Sequence, residues 1–276
     1  MPDEGTAHRQ RPALRSVAVP AEHGGWGLTL EPGILGVLLA PSIAGVLLAA
    51  AALLAFLLRT PARLLLRRSR QADRSTTQTG QARRRLASQV AMVELLAIGV
   101  ALAGTAILAD DPNWIWPLAI ALPMFAVAFI FDMRSESRHI VAEIVGAVAV
   151  AGVAAMGTLA GGGSGPLALG AWLILSARVF SSIPHVRDQI RRIHGHEFGQ
   201  GPGAIGDLAA VWTAAVAVLI EPSLSLGGAS IVGLIVIQRI TLARPPRPAK
   251  VLGVRQMALG FAVVGFTAVG VWLGLL

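Results

Sequence analysis

Residues 42–68 read SIAGVLLAAAALLAFLLRTPARLLLRR. An uncharged run, 42–58, gives way to Arg59, Arg63, Arg67 and Arg68. A run of that length crosses the bilayer hydrocarbon as a helix, which needs about 17–25 mostly apolar residues. Arginine directly after it marks the cytoplasmic side, where basic loops are retained. The stretch reads as a transmembrane helix ending inside the cell.

Composition extends that reading to the whole chain. Of 276 residues, 54% are apolar and 14% charged, against roughly 25% charged in a soluble domain. The mean hydropathy is +0.67. A soluble fold of this size could not bury so much apolar surface, so water-soluble classes are excluded. Cysteine is absent, which excludes disulfides, thiolate metal sites and a cysteine nucleophile. All the basic residues but Lys250 are arginines, and the net charge is +8.

Nine apolar segments stand out: 24–40, 42–58, 88–108, 114–131, 139–160, 166–183, 206–220, 224–240 and 256–276. The seventh and eighth are short for a span. Pro41 alone separates the first two, and charge decides that they are two. Arg9, Arg11 and Arg15 precede the first and a cluster from Arg59 to Arg85 follows the second. Both flanks belong inside, so an even number of crossings lies between them. Residues 109–113, 161–165 and 221–223 carry no base and belong outside, while 132–139, 184–205 and 241–255 carry arginines and belong inside. The expected fold is an all-α, polytopic helical membrane protein of about nine spans in the cell membrane, N-terminus in and C-terminus out. Residues 1–19 are expected to be a disordered cytoplasmic tail. Residues 20–276 form one transmembrane domain with large cytoplasmic loops at 59–87 and 184–205.

Charges inside spans are costly, at roughly 2.5–3.5 kcal/mol on insertion scales, and call for a partner or water. Glu31, Glu94, Glu143 and Arg178 are four such residues. At 1.5 Å per residue all lie in the cytoplasmic half, roughly 6–10 Å from the inner helix ends. One polar cavity open to the cytoplasm explains that placement. The alternative is that the glutamates pair with interfacial arginines and fix helix packing.

Three further stretches face the same surface. Glu22 and His23, before the paired glycines and Trp26, can hold or move a proton and are the candidate catalytic pair. Arg59, Arg63 and Arg67 recur every four residues along one helical face, a row suited to phosphate or carboxylate or to lipid head groups. Arg178, Ser182 and His185 share another face, followed by Arg187, Asp188 and Arg191. Pro184 is expected to disturb that helix. Arg59, Arg63, Arg67, Arg178, His185, Arg187, Asp188 and Arg191 are the candidate substrate-binding residues. His194, His196 and Glu197 are too few for a metal centre with its supporting shell, so no metal or cofactor is expected. The basic loop 59–87 has no aromatic residues to stack on bases, so no nucleic acid is expected either.

Pro20-x-Glu22-His23-Gly24-x-Trp26, Arg59-x-Pro61 and Val186-Arg187 resemble the YwiC-like family of bacterial membrane proteins. The topology resembles that of the UbiA superfamily of intramembrane prenyltransferases. That second resemblance implies nine helices, an inside N-terminus and two functional inner loops after helices two and six. It also implies magnesium held by Asp-rich motifs in those loops. Here Arg59, Arg63 and Arg67 stand where the first motif belongs, and Arg187, Asp188 and Arg191 where the second belongs. Magnesium needs carboxylate oxygens, and only Asp188 offers one.

The expected function is a membrane protein whose cytoplasm-facing cavity binds an anionic, lipid-like ligand bearing phosphate or carboxylate. Membrane lipids are its expected partners. The reading leaves open a metal-independent, UbiA-like transferase reaction. Two other classes stay open, a transporter or exporter using the intramembrane charges as a path, and a non-catalytic partner subunit.

Overall fold

The computed structural model describes residues 14–18, 25–66, 78–133, 139–195 and 200–274, and none of these is in a strand. After a four-residue helical turn, Arg15–Ala18, come nine longer helices: α1 (Gly25–Leu39), α2 (Ile43–Leu66), α3 (Gln78–Leu108), α4 (Trp116–Met133), α5 (Ile140–Ala160), α6 (Gly165–Ile193), α7 (Gln200–Ile220), α8 (Ser225–Leu242) and α9 (Ala249–Leu273). Each corresponds to one apolar segment of the sequence. Eight are long and apolar enough to cross a membrane. The exception is α1, whose 15 residues reach only about 22 Å, short of a hydrocarbon core about 30 Å thick.

The short element is thus the first helix, not the seventh or eighth. Helix α7 has 21 residues because it starts at Gln200 and takes Pro202 into its first turn. The proline's missing N–H is harmless there, since the first four N–H groups of a helix have no partner within it. The two inner segments read as loops are also largely helical. Helix α2 carries Arg59, Pro61 and Arg63 within it, α3 begins well before its apolar run, and α6 runs on to Ile193.

Helix α6 also continues through Pro184. Proline leaves the carbonyl four residues earlier, that of Phe180, without its usual donor. Gly206 of α7 abuts that oxygen, and a Cβ there would overlap it. The helix is thus unbroken at Pro184, with a neighbouring backbone packed against the altered turn.

By Cα proximity the chain forms two compact units, residues 1–21 with 54–98 and residues 22–53 with 99–276. The first holds the later part of α2 and most of α3, with Arg83, Arg84 and Arg85 exposed. In the second, α6 is the central helix and packs on α1, α5, α7, α8 and α9. Its core is rich in alanine. Ala149, Ala151, Ala154 and Ala155 of α5 meet Leu35, Trp172 and Leu175, while Ala177 of α6 and Ala210, Ala214 and Ala217 of α7 meet Ile231 and Val263. Small residues let helices approach closely where apolar lipid offers no hydrophobic drive for association.

The acids at one end of this unit cap turns. Asp111 accepts from Asn113 N at 2.8 Å and Glu221 from the Ser223 hydroxyl at 2.7 Å. The opposite, basic end gathers Arg187, Arg191 and Arg192 of α6 with Arg239 of α8 and the segment Arg244–Arg255. From the arginine bias the basic end is expected inside. Reporters fused after Asp111, Gly163 or Pro222 should therefore read outside, and reporters within 194–200 inside. With the N-terminus inside, an inside reading at the C-terminus would mean an even number of crossings, as when the short α1 does not cross.

Candidate functional site

Helix α6 turns a polar stripe toward its neighbours. Arg178, Ser181, Ser182, His185, Asp188 and Gln189 are all buried, at the three- and four-residue spacing of one helical face. The deepest member is Arg178, 3% exposed, and opposite it on α1 is Glu31, 1% exposed. Arg178 Nε lies 2.7 Å from Glu31 Oε2. Arg178 Nη2 donates to the backbone oxygen of Gln256 on α9 at 3.1 Å. Gly260, one turn further along α9, makes the room, since a Cβ there would overlap the Glu31 carboxyl and Arg178 Nη2.

From this pair a network runs toward the basic end. Gln238 Nε2 of α8 donates to Gln256 Oε1 at 3.3 Å and to Ser182 Oγ at 3.1 Å. Ser181 Oγ lies 2.8 Å from Gln238 Oε1 and 2.7 Å from Asp207 Oδ1. Arg239 holds the other Asp207 oxygen through Nε and Nη2, each at 2.6 Å. Toward the opposite end the pattern changes. The buried hydroxyls of Thr158, Ser176 and Thr267 bond carbonyls of their own helices.

At the basic end, Arg255 Nη2 of α9 lies 3.2 Å from His185 Nε2. Arginine has no acceptor, so that imidazole nitrogen is the unprotonated one. Arg255 also lines a hollow of about 220 Å³ with Arg244, Arg247, Gln189, Thr241, Pro245, Val251 and Leu252. Among the described residues no carboxylate lies within ion-pair distance of Arg244, Arg247 or Arg255. Arg255 Nε and Gln189 Oε1 are buried there without a hydrogen-bond partner among the described residues. A second cleft, lined by Ser181, His185, Asp188, Gly203, Asp207 and Arg239, measures about 10 Å³ and has room for about one water. Arg192 donates to the Leu242 and Arg244 carbonyls at 2.6 and 3.1 Å, which fixes the end of α8 beside the hollow.

The residues named from sequence distribute unevenly. Arg178, His185 and Asp188 share the buried stripe. Arg187 is balanced by Glu143 at 2.9 Å, the pairing with an interfacial arginine that was the alternative reading of that glutamate. Arg191 is exposed. Arg59 and Arg63 lie on α2 in the first unit, where Glu94 is 7% exposed. Glu22, His23, Arg67, His196 and Glu197 lie outside the described residues. Among the described residues no cluster of three metal-ligating side chains occurs.

Several members went unnamed in the sequence. Gln238 and Gln256 carry no charge, yet an amide in an otherwise apolar span was a usable signal. Arg244, Arg247 and Arg255 are fully accounted for in the sequence by the bias of inner loops toward arginine.

The sequence pattern of the YwiC-like protein family matches residues 19–158. That stretch includes α1 with Glu31 and ends within α5, so Arg178 and the three hollow-lining arginines lie beyond it. No curated protein and no solved structure matches the chain.

Proposed function

The chain belongs to the YwiC-like protein family, and we propose that this membrane protein binds an anionic, lipid-like ligand at the cytoplasmic end of its second unit. One observation carries the reading. Three arginines surround a concave surface with no carboxylate among the described residues in ion-pair reach, and one of them, Arg255, has a buried Nε with no partner among those residues. Guanidinium forks match phosphate and carboxylate oxygens bidentately. Pro245, Val251 and Leu252 supply an apolar wall for the carbon skeleton behind the head group. Gln189 Oε1 asks for a donor, so a head group carrying a hydroxyl beside its anion suits the hollow best.

The buried network supports a site reached from one side rather than a path through the membrane, because its linked side chains run from Glu31 to the basic end. His185 contributes by holding Arg255 as a neutral acceptor. Arg191 is a rim contact, and Arg59 and Arg63 are lipid-phosphate contacts of the first unit's own surface. Should the site carry out a transfer reaction, Glu22 and His23 are its proton carriers.

The test is lipid selection in nanodiscs of phosphatidylcholine doped with phosphatidylglycerol, read by native mass spectrometry. Arg247→Ala and Arg255→Ala should each weaken phosphatidylglycerol retention roughly 10- to 100-fold, the worth of a charged hydrogen bond of about 1.5–3 kcal/mol. The double variant should lose less than the sum, because residues in one network couple. An unchanged lipid profile would mean that these arginines only set topology.

A further inference from the structure

We propose that Arg178 is a second anion-binding position, where a tetrahedral oxyanion takes the place of Glu31 while Glu31 takes up a proton. This rests on the anionic-ligand reading above and adds a co-ligand, the proton, and a place for it.

The geometry of the pair suggests exchange. Only one Glu31 oxygen is used, Oε2 against Arg178 Nε at 2.7 Å. The other, Oε1, is buried and has no hydrogen-bond partner among the described residues. It lies between two glycines, since a Cβ at Gly27 would sit 3.0 Å from it and one at Gly260 would overlap it. A carboxylate with one oxygen against bare backbone is a poorly solvated anion. A buried pair of this kind is also weak grounds for stability, because desolvating both ions offsets their attraction.

Charge balance then fixes what must move together. Arg178 is surrounded by α1, which brings Glu31, by α9, which brings Gln256 and Gly260, and by the amide of Gln238 on α8 behind Gln256. Other charged groups facing this bundle lie toward the basic end. Glu143 of α5 holds Arg187, and Asp207 of α7 holds Arg239. Arg255 of α9 is turned to His185, and Asp188 lines the small cleft with Arg239. Protonating Glu31 alone would strand a buried cation, and adding an anion alone would place two anions on one guanidinium. One proton and one singly charged anion together leave the net charge of the site unchanged, at zero.

Gln256, whose carbonyl accepts from Arg178, follows directly in sequence on Arg255, which lines the basic hollow. Its amide Nε2 is buried without a partner among the described residues, a donor in reserve next to that carbonyl's own residue.

The experiment uses the full chain in phosphatidylcholine nanodiscs. The probes are methyl sulfate and dihexanoyl phosphatidylglycerol, both singly charged anions that do not titrate near neutrality. Calorimetry in two buffers of different ionisation heat counts protons taken up per anion bound. The wild type should take up about one proton per anion, with affinity rising up to about tenfold for each unit of falling pH. Glu31→Gln should take up none and bind with a flat pH profile. Binding of both probes with proton uptake that Glu31→Gln abolishes places the oxyanion itself at Arg178, and such uptake with the lipid alone makes the ligand a head group. Binding without proton uptake, or uptake that persists in Glu31→Gln, overturns the exchange and leaves the anionic-ligand reading standing. No binding of either probe overturns both. If Glu31→Gln does not fold, the wild-type proton count and pH profile still decide.

Discussion

Arg178→Ala is expected to lower the stability of the detergent-solubilised chain by about 3–5 kcal/mol, the cost of breaking a buried pair and leaving one charge unpaired. Arg178 and Glu31 are 3% and 1% exposed and 2.7 Å apart, so water cannot easily compensate for the lost partner. Replacing both, as Glu31→Leu with Arg178→Met, should recover most of the loss, because an apolar pair of similar volume is often neutral or better. A thermal melt followed by tryptophan fluorescence compares the three chains. If Arg178→Ala melts like the wild type, the pair is not the charge-balanced contact described above.

A similarly large loss is expected from Gly260→Leu. Any side chain at that position must enter the volume held by the Glu31 carboxyl and the Arg178 guanidinium. Overpacking a filled core costs about 1–3 kcal/mol by itself, and displacing the guanidinium also strains its bond to the Gln256 carbonyl. Gly265 lies further along the same helix, and a Cβ there meets nothing within 4 Å. Gly265→Ala should therefore melt with the wild type. Equal losses at the two glycines would show a helix-wide effect and remove the special role of Gly260.

The contrast between Gly260 and Gly265 shows what the sequence could and could not tell. Nine apolar runs were legible because a span requires an uncharged stretch, and each run became one helix. Helix ends were less legible. Residues 59–66 and 184–193 extend α2 and α6 beyond the apolar runs, and charge patterning cannot separate a helical extension from a loop. Pro184 misled for a tertiary reason, since Gly206 meets the carbonyl that proline leaves free.

Within the site, Glu31 and Arg178 stood out as charges in apolar segments, but their pairing depends on how α1 and α6 cross, which no local pattern encodes. Gln238 and Gln256 were overlooked because a search for ionisable groups passes over amides. Arg244, Arg247 and Arg255 were hidden by a sufficient explanation, since retaining a loop inside the cell already accounts for arginine there. Only their arrangement around one hollow, without an acid in reach, separates binding from topology.

That arrangement is most directly tested by a density map of the full chain purified in mild detergent with its native lipids. The account predicts density for an anionic head group in the hollow, with oxygens in hydrogen-bonding reach of Arg255 and Arg247 and its carbon skeleton against Val251 and Leu252. A hollow filled by a carboxylate from elsewhere in the chain, or one that stays empty while lipids are resolved around the other helices, would contradict it.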